Sequence, residues 1–407
     1  MLLIFTLSLS AFTASIARTL DRHLYKQMYY EVGSNVALKD NGTHYNSADT
    51  RTPIYSFVPT EDYLKLKGVQ GATTVARHTA NVLLANGKQQ SAVYLGIDRL
   101  TFPQVAYWQQ NFSPASLGAL LNALAQYPDG VLVSRDFLDA QGLKLGDSLA
   151  LSVATNTGGV GMKAVIVGII DLFPSWYPEE GSLFVGNISY FYTRAREEYP
   201  HQVWLKTAKG TDAEDTIYAV RGYSIYLDMA ADETRLVENG LNTFVEGWSS
   251  ADNKIVSEQS RPERQGLFGL LSVGFLTAAL LTVLGFILYA LFSFRRRFIE
   301  LGMLRAVGLS VSQMIGLLAS ELVFLVMIGL LVGTGLGYAF SRWFIPYLQV
   351  GATASSHYPP FLVQIAWSSV FQMYVLFGSL FLAALSGLAA LLMRMKIFQA
   401  IKLGETT

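Results

Sequence analysis

The chain has no cysteine among its 407 residues. Disulfides and cysteine-ligated zinc or iron–sulfur centres are therefore excluded, although this absence fits an extracytoplasmic and a cytosolic compartment equally. Charge is scarce as well: 15% of residues are Asp, Glu, Lys or Arg, against roughly 25% in average soluble proteins. The few histidines, His23, His44, His78, His201 and His357, lie apart in sequence, with no HExxH and no closely spaced pair to hold zinc. No GxSxG elbow and no G-x-x-x-x-G-K-[ST] loop occurs, so neither a hydrolase nucleophile elbow nor a P-loop for ATP is encoded. Lys+Arg and Asp+Glu balance at 30 each, which excludes a strongly basic nucleic-acid binder.

What is abundant is apolar side chain, 51% of the sequence with a mean hydropathy of +0.33. It is concentrated. No charge interrupts the stretch between Arg264 and Arg295, which exceeds the ~20 apolar residues a membrane helix needs. Counting residues 1–16 as a candidate first, the spacing predicts the second, third and fourth spans at about 268–292, 314–340 and 369–393, the third containing Glu321 and the fourth ending at Arg394 and Lys396. Residues 1–16, MLLIFTLSLSAFTASI, are apolar and short. They read either as a signal-peptide core or as a transmembrane helix with a clipped start. The helix-compatible continuation from Ala17 to Lys26, with no Pro or Gly before Gly33, favours the second.

Basic residues set the orientation. Arg295, Arg296, Arg297 and Arg305 follow the second span, and Arg394, Lys396 and Lys402 follow the last; short Lys/Arg-rich loops stay in the cytoplasm. The expected fold class is an α-helical transmembrane bundle of four spans with a large mixed α/β extracytoplasmic domain between spans 1 and 2. That domain is placed at 17–264, with helical stalks and a β-rich insert at about 128–190, and the membrane domain at 265–407.

Within the external part, Val36–Lys39 reads as a strand closed by Asp40-Asn41-Gly42. Thr60 is placed to cap a short helix over 61–65, and Asn86-Gly87 signals a two-residue hairpin. Helices are expected over 116–127, 135–140 and 213–220, and strands at 131–133, 149–153, 162–170, 202–206 and 224–228. Glu179-Glu180 and Glu197-Glu198 read as solvated loop acids. Trp176-Tyr177, inside Pro174-Ser-Trp-Tyr-Pro178, reads as a Pro-bounded turn folded back on the sheet; an exposed aromatic contact is the alternative. No catalytic constellation is found.

The cytoplasmic connection is the informative segment. Phe298, Leu301, Leu304 and Val307 recur at helical spacing, which predicts an amphipathic helix over 294–308. Gly308 is placed to stop it, and Ser310-Val-Ser-Gln313 reads as a capping box that starts the next helix. A headgroup anchor is the plainer reading of such a helix. In the third span Gly329, Gly333 and Gly337 form overlapping G-x-x-x-G steps suited to close helix packing. Glu321 falls in the inner-leaflet half of that span, where Arg305 or headgroup water would have to accommodate it.

Arg296-Arg-Phe-Ile-Glu-Leu-Gly-Met-Leu-Arg-Ala-Val-Gly-Leu-Ser310, then Gln313, Ile315, Glu321, the three glycines and the terminal Ala400-Ile-Lys-Leu-Gly-Glu405 resemble the FtsX/MacB-like permeases, the mechanotransmitting (type VII) subunits of ABC transporters. Val131–Phe137 and Gly142–Leu151 are similar to the β-rich insert of that family. The resemblance implies a cytoplasmic ABC ATPase as partner, contacted through Arg297, Glu300, Leu301, Leu304, Arg305 and Gly308. It also implies a second permease half or a homodimer, and a bacterial inner-membrane location. ATP and Mg would be bound by the partner, with no cofactor, metal or catalytic residue in this chain. The opening after Ala17 is similar to the second half of longer duplicated members, which implies a C-terminal part of such a protein. A membrane-anchored sensor or scaffold that needs no ATP is the alternative function.

Overall fold

The computed structural model describes residues 2–46, 53–84, 87–221, 245–296, 303, 307–348 and 358–394. By packing, the chain divides into two units: Met1–His23, Gln259–Val350 and Phe361–Thr407 form one, and Leu24–Glu258 with Gly351–Pro360 form the other. Residues 17–23 and 259–264 thus go with the first unit, and 351–360 with the second.

The first unit is helical. It contains the beginning of α1 (Leu2–Val32), then α8 (Pro262–Arg296), α9 (Val311–Phe344) and α10 (Trp367–Arg394). Two stretches, Pro262–Gly285 and Ala319–Tyr347, are long and apolar enough to cross a membrane among the described residues.

The second unit is a mixed α/β domain. Its strands are β1 (Val36–Asp40), β2 (Thr43–Asn46), β3 (Pro53–Ser56), β4 (Val69–Leu83), β5 (Gln89–Ile97), β6 (Gly130–Ser134), β7 (Ser148–Thr155), β8 (Gly158–Ile170), β9 (Ser182–Asn187), β10 (His201–Thr207) and β11 (Val245–Ser250). Helices α2 (Phe102–Val105), α3 (Leu117–Gln126), α4 (Arg135–Gln141), α5 (Ile188–Ala195), α6 (213–221) and α7 (Ala251–Gln259) connect them. Local chemistry explains several ends. The Ser116 hydroxyl caps α3 by accepting from the Ala119 N–H, and Gly142, at φ +64°, terminates α4 in the left-handed conformation favoured by glycine. Leu120, Leu121 and Leu124 are buried at helical spacing along α3.

Nine strands form one sheet in the order β11-β1-β10-β4-β5-β9-β6-β8-β7, and β7 also pairs with β4. The last six strands therefore close into a barrel. The strands of the 128–190 segment complete this barrel with β4 and β5. Its interior holds Val82, Tyr94, Val133, Phe137, Leu151, Val153, Ile166 and Phe184, all buried. A second core, including Phe102, Leu124, Phe173, Trp176 and Trp204, packs α2 and α3 on the sheet.

Three local readings need correction. Thr60 is not a cap: the 3₁₀ helix Thr60–Lys65 begins at it, and its hydroxyl is 2.9 Å from that of Thr74 on β4. The β4–β5 turn is longer than two residues, because the Leu84 N–H donates to the Lys88 carbonyl and the Gly87 N–H to the Leu84 carbonyl; Asn86 itself lies outside the described residues. Trp176, by contrast, is folded back as its sequence context indicates: it is 2% exposed and its indole N–H donates to the Gly181 carbonyl. Glu180 is not a free loop acid, since it accepts from Arg77 at 2.6 Å and from the Tyr177 N–H. The strand expected at 224–228 lies outside the described residues.

Candidate functional site

The turn that precedes α9 is built by two local devices. The Val307 N–H donates to the Met303 carbonyl, Gly308 then turns the chain at φ +106°, and Ser310 restarts it. The Ser310 hydroxyl accepts from the Gln313 N–H, and the Gln313 carboxamide oxygen accepts from the Ser310 N–H at 3.0 Å, a complete capping box. Met303 and Val307 are exposed, Val307 by 82%. Of the other residues expected to meet an ATPase, Arg297, Glu300, Leu301, Leu304 and Arg305 lie outside the described residues.

The glycine-bearing face of α9 is occupied by α1. Gly329, Gly333 and Gly337 are all buried. A β-carbon on Gly333 would fall 2.8 Å from the Leu7 Cβ, and one on Gly337 2.7 Å from the Ala11 Cβ. Only glycine permits this approach of two backbones. α1 also presents Thr6, fully buried, to the hydroxyl of Thr282 and to the Ala278 carbonyl on α8. Beyond the apolar part, the Thr19 hydroxyl donates to the Gln364 carbonyl and Arg22 to the Gln364 side chain. Sequence reasoning does not find the Thr6–Thr282 contact; its one signal is a hydroxyl within an apolar run. Glu321 lies on α9, half-buried.

In the α/β unit, the end of α1 is embedded rather than appended. Tyr30 is fully buried; its hydroxyl donates to the Trp176 carbonyl and its carbonyl accepts from the Ser175 N–H at 2.7 Å. Its ring meets Phe112 and Tyr177 edge-on, and burial raises its hydroxyl pKa well above the ordinary range. Gly33 follows at φ +88°, with the Trp204 ring where a side chain would begin, 2.5 Å from the β-carbon position. Alongside, Lys254 pairs with Glu31 at 2.6 Å and Tyr29 donates to Asp252, while Leu24, Met28 and Ile255 form a small core between α1 and α7. Tyr358 packs against Tyr177 in the same aromatic cluster. Among the described residues, no group of three His, Asp or Glu is placed to hold a metal ion.

Over residues 272–398 the sequence matches the FtsX-like permease C-terminal family. The chain carries an FtsX-like permease domain. That domain covers α8 from Ser272 through α10 and includes the Gly308–Ser310 corner and the three packed glycines. Among solved structures the chain is similar to the periplasmic region of MacB from Actinobacillus actinomycetemcomitans, at 10% identity and TM-score 0.33, covering 57% of this chain and 95% of that one. It is similar to a domain of a putative permease from Porphyromonas gingivalis, at 13% identity and TM-score 0.33, covering 54% and 89%. It is also similar to the extracellular domain of the ABC-type transporter YknZ from Gram-positive bacteria, at 12% identity and TM-score 0.28, covering 44% and 88%. No curated protein matches the chain.

Proposed function

We propose that this chain is the mechanotransmitting permease subunit of a bacterial inner-membrane ABC transporter. It spans the membrane four times, holds its α/β domain outside, and works with a cytoplasmic ABC ATPase and a second permease half or copy. ATP and Mg are bound by the ATPase. The 294–308 segment receives ATPase closure, with Leu304 filling a pocket on the partner and Arg297, Glu300, Leu301 and Arg305 around it. The work is delivered outside the membrane, as export, as release of a lipid or lipoprotein, or as control of an envelope enzyme.

The observation that carries this reading is the stop at Gly308 and the capped restart at Ser310, inside the FtsX-like match. A membrane anchor needs an apolar stripe and basic flanks; it does not need a stiff corner. A corner with a complete capping box passes a displacement into α9 rather than dissipating it. α9 in turn grips α1 through Gly333 and Gly337, and Tyr30 of α1 is locked into the α/β domain.

Co-purification tests the reading. Removing buried interface anchors costs on the order of 2 kcal/mol or more, roughly 30-fold in affinity. The Glu300→Ala, Leu304→Ala double variant is expected to lose its ATPase while still inserting in the membrane with its external domain folded. Retention of the ATPase by that variant, or failure of the native chain to bind any ATPase, would replace the permease reading with an anchored scaffold.

A further inference from the structure

β4 is a strand shared between two neighbours on one edge. Its ladder with β10 ends at Val75, and its ladder with β7 begins at Ala80. The residues between them form a fork where the open sheet becomes the barrel. One imidazole stands at each arm of the fork. His78, inside the fork, hydrogen-bonds the backbone of Ala154 on the β7 arm. His201 opens the β10 arm, 6% exposed, with Nδ1 2.9 Å from the Tyr199 carbonyl. A carbonyl can only accept, so Nδ1 carries the proton. The two rings share one aromatic wall: His78 lies 5.0 Å from Phe191 and 6.2 Å from Tyr199, and His201 lies 6.5 Å from Tyr192 and 4.4 Å from Phe57.

We propose that this fork is an acid-sensitive hinge of the α/β domain, held shut by neutral His78 and His201 and opened when they take up protons. The second proton on His78 has nowhere to go, because its Nε2 is buried without a hydrogen-bond partner among the described residues. The titratable groups against the pair are Tyr192 of α5, Tyr199 before β10 with Glu197 on its hydroxyl, and Asp40, which stands opposite His201 across the β1–β10 ladder. Glu197 is engaged by the Thr157 and Tyr199 hydroxyls, and Asp40 by Tyr63 and the Gly42 N–H. Among the described residues, no carboxylate pairs with either ring.

Burial therefore dominates. It lowers His78 and brings His201 down to about 4 from its ordinary value of 6.5. Because the folded values are depressed, the closed fork is fully favoured above pH 6.5 and loses that advantage as pH falls toward 4. His201 alone makes the open fork about 30-fold more populated at pH 5 than at pH 7.5. An acid trigger has a use only if the domain faces outside, so the biological role rests on the proposed topology; the hinge itself is measured separately from ATPase docking.

The test is hydrogen exchange on the full chain in lipid nanodiscs at pH 7.5 and pH 5, with rates corrected for intrinsic chemistry. Peptides spanning 76–80, 150–156 and 199–203 are expected to lose protection at least tenfold at pH 5, while those spanning 92–97 and 182–187 keep theirs. In the His78→Gln, His201→Gln variant the local step should vanish; in Asp40→Asn it should persist. Equal behaviour of all these peptides in the native chain overturns the hinge even if the variants misfold. So does a step that survives loss of both histidines.

Discussion

Gly337 on α9 faces Ala11 on α1 at a distance that leaves no room for a side chain: an added β-carbon would lie 2.7 Å from the Ala11 Cβ and 2.9 Å from the Ser8 carbonyl. One helical turn away, Gly333 meets Leu7 and the Ile4 carbonyl in the same manner. Both contacts are against backbone, which cannot swing aside. Gly333→Leu or Gly337→Leu should therefore destabilise the helical unit by about 1–3 kcal/mol, the usual cost of overpacking, or more. Gly335→Leu, with open space at its β-carbon, is the control. Thermal unfolding in detergent separates them; equal midpoints would show that α1 does not pack here.

Thr6 and Thr282 meet in the apolar interior of the same unit. Hydroxyl pairs in membranes are worth about 0.6 kcal/mol on average, with an upper end near 1.7. A double-mutant cycle with Thr6→Val and Thr282→Val should give coupling in that range. Additive effects would mean that each hydroxyl is satisfied within its own helix, as Thr282 is in part through the Ala278 carbonyl.

Tyr30→Phe keeps the ring and removes the donor to the Trp176 carbonyl. A lost buried hydrogen bond that orphans its partner costs about 1–3 kcal/mol. The α/β domain should still fold, with lower resistance to urea. Under the proposed function, ATPase binding should remain while its stimulation by the permease falls. A variant of unchanged stability would remove Tyr30 as the anchor of α1.

Asp40 is buried beside Tyr63, against the core that also holds Val36, Leu38 and Val203. Burial raises its carboxyl to about 6 despite bonds from the Gly42 N–H and the Tyr63 hydroxyl. Its folded value lies above the unfolded one, so its contribution is fully present below pH 4 and is lost as pH rises through 6. Acidification thus helps through Asp40 and hurts through His201. Between pH 6.5 and 4, Asp40→Asn should make stability fall more steeply with acid than in the native chain, by on the order of 2–3 kcal/mol across the window. Urea titrations at several pH values check the sign; a shallower slope in the variant would refute it.

Glu321 sits half-buried as the one acidic residue of α9. If Arg305 accommodates it, Glu321→Gln and Arg305→Gln should show coupling of about 1 kcal/mol or more in a double-mutant cycle. Independent effects would remove Arg305 as its partner.

Features governed by neighbours along the chain are legible in the sequence. Ser310 and Gln313 satisfy each other's backbone within one turn, Ser116 does the same at α3, and Gly142 ends α4, because each needs only residues a few positions away. The apolar runs and the Arg-rich connection are readable for the same reason, as is the G-x-x-x-G stripe, although not which helix covers it. Thr60 and Glu180 escape such a reading because partners distant in sequence, Thr74 and Arg77, claim their side chains. Folding alone settles that α1 occupies the glycine face, that Trp204 closes over Gly33, that β4 changes partner from β10 to β7, and that two histidines apart in sequence guard that fork. Those outcomes depend on the shapes of surfaces brought together in three dimensions, and periodicity shows which face of a helix or strand is buried without showing what buries it.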